Sequence, residues 1–272
     1  RAPSCGYLCA QELEHAIKRI GSQHIAAFIA EPVIGAAGGA IAAPKDYFKV
    51  IKKICDDNDI LFIADEVMTG FGRTGSMLAI EQYGVIPDIV ALGKGMGAGY
   101  APIAAALASE KVIEPILAGT KVVMSGHTLS ANPQSCAVSL AVLEYIEKNK
   151  IVSEVESKGD YLMNLLLNLK NQYSFIGDIR GKGLLLGIEF VEDAANKTPF
   201  PRNAQITQTM IALAKEKGLL VYPAGSGIDG VNGDSIIVSP PLTITKSEIE
   251  ELVSLLAEAF EVFSKQMKSG GV

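Results

Sequence analysis

The chain has 272 residues and a mass of 28.7 kDa, enough for one large domain or two modest ones. Hydrophobic residues make up 49% and charged residues 20%, so a packed core is expected and disordered, collagen-like and low-complexity classes are excluded. Its 24 Lys and Arg against 30 Asp and Glu leave a formal charge of −6, which argues against nucleic acid or an anionic membrane as partner, and no apolar run approaches the roughly 20 residues of a membrane span.

In chain order, Gln11–Ile20 carries Leu13, Ile17 and Ile20 at helical spacing and stops at Gly21. Ile25–Ala30 is a continuous apolar run ending in Glu31-Pro32, as expected of a strand buried on both faces. Tyr47–Asp57 reads as a helix with Phe48, Ile51, Ile54 and Cys55 on one stripe. Ile60–Ala64 is a second buried strand ending in Asp65-Glu66, Ser76–Tyr83 a short helix, and Asp88–Leu92 a third strand ending in Gly93-Lys94-Gly95. Alternating strands and helices imply parallel pairing with right-handed crossovers.

Gly93–Gly99 leads to a further strand over Pro102–Ala108, and Asn132–Asn149 is a long helix with Pro133 near its start. The texture then changes. Helices are predicted over Ile151–Lys170, Ala204–Lys217 and Lys246–Lys265, and strands over Phe175–Arg180, Leu184–Val191, Leu219–Tyr222 and Ile236–Val238, with a Gly-rich loop, Gly225–Gly233, between the last two. The division predicted is residues 1–149 for a first domain and 150–272 for a smaller α+β domain.

The cysteines Cys5, Cys9, Cys55 and Cys136 are few and unevenly spaced, so reduced thiols are expected rather than a disulfide framework. Cys5-x3-Cys9 with His15 or His24 offers a metal-ligand spacing, but no second pair completes it, and no metal is expected. Reduced thiols without a leader pattern imply a cytoplasmic protein. The chain opens Arg1-Ala2-Pro3 without an initiator Met, which reads as a fragment or a processed form.

Three successive buried strands each end in a charged residue: Glu31, Asp65 and Lys94. In open α/β sheets, ligands sit beyond the carboxyl ends of the strands, so two carboxylates and a lysine are expected on one edge. Desolvation there would lower the lysine's pKa and make it a nucleophile or base. The bland alternative is the first solvated residue of each loop. A buried Asp beside a Lys matches the needs of pyridoxal 5'-phosphate: a lysine for the Schiff base and a carboxylate to keep the ring nitrogen protonated.

Ile60-Leu-Phe-Ile-Ala-Asp-Glu-Val-Met-Thr-Gly-Phe-Gly-Arg-Thr-Gly75 followed by Pro87-Asp-Ile-Val-Ala-Leu-Gly-Lys-Gly95 resembles the signature of class III (omega-type) aminotransferases. Ala30-Glu-Pro-Val-Ile-Gly35, Gly126-His-Thr-Leu-Ser-Ala-Asn-Pro133, the stretch from Arg180 to Glu189 and Ser239-Pro-Pro-Leu-Thr-Ile244 resemble further family segments, in the same order. The resemblance covers nearly the whole chain. It implies an α/β chain of the fold-type-I aminotransferase kind, with a mostly parallel large-domain sheet, incomplete at the N-terminus, and a smaller α+β C-terminal domain.

By that resemblance, Lys94 would form the internal aldimine and, once freed by substrate, carry the proton between the substrate Cα and the cofactor. Asp65 would pair with the pyridinium nitrogen and Val67 would pack on the ring face. Thr128 would reach the phosphate of the neighbouring subunit's cofactor, a homodimer with shared active sites being the family pattern; a helix cap is its alternative. Glu31 would lie on the substrate side, with a plain strand-end carboxylate as its alternative. His127, Gly70, Gly72, Arg73 and Gly75 read as structural.

Two departures bear on substrate. Met68 stands where ornithine- and GABA-type members often have Gln, and a thioether donates no hydrogen bond to the cofactor's phenolic oxygen. Ile237 stands where members of that group often place a carboxylate-binding Arg, and Gly230-Val-Asn-Gly233 holds no alternative Arg. With Met68 the tuning of that oxygen must differ, and the absence of either arginine points to an amine or omega-amino acid donor and a 2-oxo acid acceptor, in a ping-pong transamination. Same-fold aminomutase and decarboxylase activities use the same Lys and Asp and stand as alternatives, as does an inactive fragment. The family's N-terminal phosphate loop and ring-stacking aromatic have no counterpart here, so only part of the phosphate site is expected. A P-loop NTPase is disfavoured because Gly95, not Ser or Thr, follows Gly93-Lys94. A dinucleotide-binding fold is disfavoured because that loop leads towards a strand.

Overall fold

The computed structural model describes residues 5–225 and 232–269. The chain forms two compact units: one runs to Pro32 and resumes over Ala43–Val152, and the other takes Val33–Ala42 and the chain from Ser153. The division predicted from sequence keeps residues 33–42 with the first domain; the structure packs them in the second unit.

The first unit begins with α1 (Leu8–Ile20) and β1 (Ala27–Ala30). Two short strands of the second unit follow, β2 (Val33–Ile34) and β3 (Ile41–Ala42), before α2 (Tyr47–Asp57), β4 (Leu61–Asp65), β5 (Ile89–Leu92) and β6 (Ala105–Ala108) return to the first. Its sheet has the order β1-β4-β5-β6, with β1, β4 and β5 parallel as the strand–helix alternation implies. β6 pairs antiparallel with β5, because the chain from Leu92 to Ala105 contains only a single 3₁₀ turn and no crossover helix.

The predicted stripe of α2 is buried at Phe48, Ile51, Ile54 and Cys55 and packs with Ile60, Phe62, Ala64, Ile80 and Tyr83. Phe48 stacks on Phe62 at 5.7 Å between ring centroids and meets Tyr83 edge-on at 5.0 Å. Asp88, expected to open β5, is a buried staple instead: its Oδ2 accepts the Phe62 N–H at 2.8 Å, and Lys52 and Lys111 approach it at 3.6 and 3.5 Å. The short helix predicted at Ser76–Tyr83 shrinks to a 3₁₀ turn over Ala79–Tyr83. Ser76 Oγ donates to the Leu78 carbonyl and Gln82 to the Thr74 carbonyl, local bonds that compete with a helix start.

Two helices complete this unit, α3 (Glu110–Ala118), which the sequence did not predict, and α4 (Pro133–Lys148). Pro115 within α3 hid it from a helical reading.

The second unit contains α5 (Ile151–Lys170), β7 (Ile176–Lys182), β8 (Leu185–Phe190), α6 (Ile206–Glu216), β9 (Tyr222–Gly225), β10 (Asp234–Val238) and α7 (Lys246–Lys268). Its sheet is antiparallel throughout, in the order β7-β8-β10-β9. β9 starts where the predicted strand Leu219–Tyr222 ends, because Leu219 N–H still closes α6 on the Ala214 carbonyl. Most of the predicted Gly-rich loop, residues 226–231, lies outside the described residues. Phe175 sits at the centre of the core, edge-on to Phe260 at 5.8 Å and Phe263 at 4.9 Å. α7 opens on a capping box, with Thr245 Oγ1 accepting the Glu248 N–H and the Glu248 carboxylate accepting the Thr245 N–H.

Candidate active site

The strand register brings three of the predicted residues to one edge of the first sheet. Ala30 is paired with Ala64, and Asp65 with Ala91. Glu31, Asp65 and Lys94 therefore all lie at the carboxyl ends of adjacent parallel strands.

Asp65 is the last residue of β4 and half-buried, and its Oδ1 accepts the Val67 N–H at 3.1 Å, which orients the carboxylate as the chain turns. Glu66, which the sequence left unassigned, locks that turn. It is fully buried, and its N–H extends the ladder to the Ala91 carbonyl at 2.9 Å. Its carboxylate accepts the Thr69 hydroxyl, the Ile80 N–H at 2.7 Å and the Ala79 N–H, while its carbonyl accepts the Gly70 N–H at 2.9 Å. Burial pushes the Glu66 carboxyl above the ordinary range, and these hydrogen bonds pull it partly back. A carboxylate inside a strand-end motif signals burial only through the apolar residues around it, so sequence alone could not separate it from Asp65.

Lys94 opens the 3₁₀ turn Lys94–Met96 with φ +40°, a left-handed conformation that costs a non-glycine residue about 1 kcal/mol or more. Its side chain is exposed in this chain, so the desolvated lysine expected from the sequence is corrected: the strand ends place the amine on the edge without burying it. Glycines let the two loops pack. A Cβ at Gly93 would lie 3.5 Å from Val67 Cγ1, and one at Gly95 would lie 3.2 Å from the Phe71 Cβ. Val67 is half-buried at that junction, between the Asp65 turn and the Lys94 turn.

Glu31 is half-buried just beyond β1. Thr128 is exposed in the turn before α4, and the cap expected as its alternative belongs to Asn132, whose Oδ1 accepts the Ser135 N–H at 3.1 Å. His127 is held through its backbone, its N–H donating to Ser130 Oγ at 2.9 Å. Arg73, read from sequence as an exposed structural arginine, is half-buried, and desolvation lowers its pKa to about 10. Met68 is half-buried after Val67, and Ile237 is buried in β10. Cys5, Cys9 and Cys136 are exposed free thiols and Cys55 a buried one; among the described residues no group of three or more His, Cys, Asp or Glu could hold a metal ion. No helix among the described residues is long and apolar enough to cross a membrane. A concavity of about 710 Å³ in the second unit, lined by Phe200, Arg202, Gln205 and Asp234, contains none of the predicted site residues.

The donor set fits pyridoxal 5'-phosphate. An anchored carboxylate, a primary amine and an aliphatic side chain lie along one sheet edge, the three groups required by a protonated ring nitrogen, a reactive aldehyde and a ring face.

Comparison with known proteins agrees with this chemistry. The family model described as Aminotransferase class-III matches residues 4–260. An uncharacterized aminotransferase of Bacillus subtilis, YodT, is 52% identical over 259 residues, which is 95% of this chain and 58% of the relative. A transaminase structure from the marine bacterium Virgibacillus has a TM-score of 0.89 at 36% identity, over 95% of this chain and 57% of that one. An amine transaminase from an uncultivated Pseudomonas species, in a PLP-bound form, has a TM-score of 0.86 at 39% identity, over 93% of this chain and 56% of that one. The chain thus spans little more than half the length of the relatives it matches.

Proposed function

This chain belongs to the class-III aminotransferases, and from that premise we propose that it carries the cofactor-holding lysine and the ring-nitrogen carboxylate of a pyridoxal-phosphate-dependent transaminase. The supporting observation is the register: Asp65 and Lys94 follow paired positions of adjacent parallel strands, and the Val67–Gly93 packing joins their loops. The bound cofactor supplies an electron sink and a temporary seat for the amino group. Lys94 would hold it through its amine and would move the proton at the substrate Cα. Asp65, its Oδ1 already oriented by Val67 N–H, keeps the ring nitrogen protonated. Val67 supports the ring face, and Thr128 contributes to the phosphate site. Glu31 stands on the substrate side.

The reaction runs as two half-reactions in ping-pong order, an amine or omega-amino acid donor first and a 2-oxo acid second. Ile237 supports that donor class, since its side chain cannot bind an α-carboxylate as the Arg often found there does. The first unit corresponds to the C-terminal part of the cofactor-binding large domain and the second, with residues 33–42, to the small domain. The protein works as a homodimer with shared sites. Large apolar side chains left exposed in the first unit, among them Tyr100, Leu107, Leu117, Val123, Met124 and Leu129, support that assembly. Free thiols support a cytoplasmic setting.

The test is a visible absorption spectrum after addition of pyridoxal 5'-phosphate, followed by borohydride reduction and peptide mass mapping. A new visible band with the pyridoxyl label on Lys94 is expected. Label scattered over surface lysines, with Lys94→Ala labelled as heavily as the unsubstituted protein, would overturn the assignment.

A further inference from the structure

α4 turns one buried polar side chain inward. Ser139 is 3% exposed, and with Ile146 it makes up the buried residues of the helix. A serine inside a helix ordinarily folds its hydroxyl back onto the carbonyl one turn earlier, and it lowers helix propensity relative to alanine. Here Ser139 Oγ instead donates to the Met96 carbonyl at 2.8 Å, 43 residues away in sequence. Met96 closes the 3₁₀ turn that Lys94 opens, and its own N–H returns to the Gly93 carbonyl at 3.0 Å.

The Lys94 turn is thereby held from two sides. Gly93 and Gly95 pack against Val67 and Phe71 of the Asp65 loop, and Ser139 ties the far end to α4. The turn needs such holding because Lys94 sits at φ +40°, a conformation the backbone leaves when nothing over-determines it. Just beyond Met96 the backbone passes close to residue 101: a Cβ at Gly97 would lie 2.5 Å from the Ala101 carbonyl oxygen, so only glycine fits there.

We propose that Ser139 is a positioning residue for Lys94, its hydroxyl fixing the Lys94–Met96 turn so that the amine starts from one place on the sheet edge. The inference rests on the assignment of Lys94 as the cofactor-holding lysine, and it adds a residue on a different element that acts through the Met96 carbonyl. Removing the hydroxyl leaves the fold in place and loosens the turn, which lowers the fraction of chains with Lys94 in its reactive position.

The experiment compares the protein with Ser139→Ala, Ser139→Thr and, as a packing control on the same helix face, Ile146→Val. Two readouts are taken: amide hydrogen exchange of the peptide covering residues 95–100, and the pH midpoint of the visible band formed with pyridoxal 5'-phosphate, with borohydride labelling at Lys94. For Ser139→Ala, exchange in that peptide is expected to rise about fivefold, the scale of one lost hydrogen bond. Its pH midpoint is expected to move, Ser139→Thr to recover both values, and Ile146→Val to leave both unchanged. Wild-type exchange and a wild-type midpoint in Ser139→Ala overturn the proposal while Lys94 labelling of the unsubstituted protein upholds the function. Absence of that labelling overturns the function and the positioning role with it, whatever the exchange shows.

Discussion

Arg180 reaches back to Gly39 across 141 residues, its Nε donating to the Gly39 carbonyl at 2.9 Å. A second donor, Nη2, meets the Gly38 carbonyl at 2.9 Å, and Nη1 pairs with Glu189 and with Asp178. One guanidinium thus binds the β2–β3 hairpin, which begins two residues after Glu31, to the sheet of the second unit.

Arg180→Ala is expected to destabilise the second unit by about 2–4 kcal/mol, since it strips two buried carbonyls of their donors and leaves Glu189 without its cation. Chemical denaturation measures the loss. Amide exchange over residues 33–42 should rise in parallel. Arg180→Lys should recover little, because an ammonium is a point charge and cannot span both carbonyls and the carboxylate at once.

Asp65→Asn separates charge from geometry. The amide oxygen can still accept the Val67 N–H, so the turn should keep its shape. It carries no charge to hold a ring nitrogen protonated. Turnover of the holoenzyme is expected to fall at least about a hundredfold, with the melting temperature unchanged. Full activity in Asp65→Asn would remove Asp65 from the proposed chemistry.

Glu66 makes stability depend on pH in the direction opposite to most carboxylates. Its folded-state pKa is raised, chiefly by burial, so the folded state binds the proton more tightly than the unfolded chain. The stabilisation associated with that proton is complete below the unfolded carboxylate's pKa and is lost as pH rises through the folded value. Urea titrations at a series of pH values from mildly acidic to neutral should therefore show wild type gaining on Glu66→Gln as pH falls. Parallel pH profiles for the two proteins would contradict this.

The proposed donor class rests on the absence of a carboxylate-binding Arg at position 237. Steady-state rates over a panel should favour primary amines and omega-amino acids over α-amino acids, each with a 2-oxo acid acceptor. A protein that accepts only α-amino acids would reverse the assignment. Release of carbon dioxide in place of a stoichiometric oxo product would point to decarboxylation.

Much of this protein is legible in its sequence, and the reason is local. The continuous apolar runs before Glu31, Asp65 and Lys94 do form strands, and parallel pairing carries all three residues to one edge, but burial on both faces is not found: buried and half-buried positions alternate along β4 and β5, and Ile29 of β1 is exposed. The stripe of α2 follows from spacing and residue type within a turn or two, whereas the α4 cap fell to Asn132 and not to Thr128. What the tertiary structure alone decides depends on partners far away in the chain. Nothing near residue 180 tells that its guanidinium will hold residues 38 and 39, so the hairpin's place in the second unit is invisible from pattern. Nothing in Asp65-Glu66 tells which carboxylate faces the sheet edge and which is buried under the Ala79–Tyr83 turn. The serine in α4 looks like a neutral helix residue until its hydroxyl is found on the Met96 carbonyl. Periodicity encodes which face of an element is buried, whereas the identity of a buried polar group's partner is chosen by packing between elements, because every such group must find one once water is excluded.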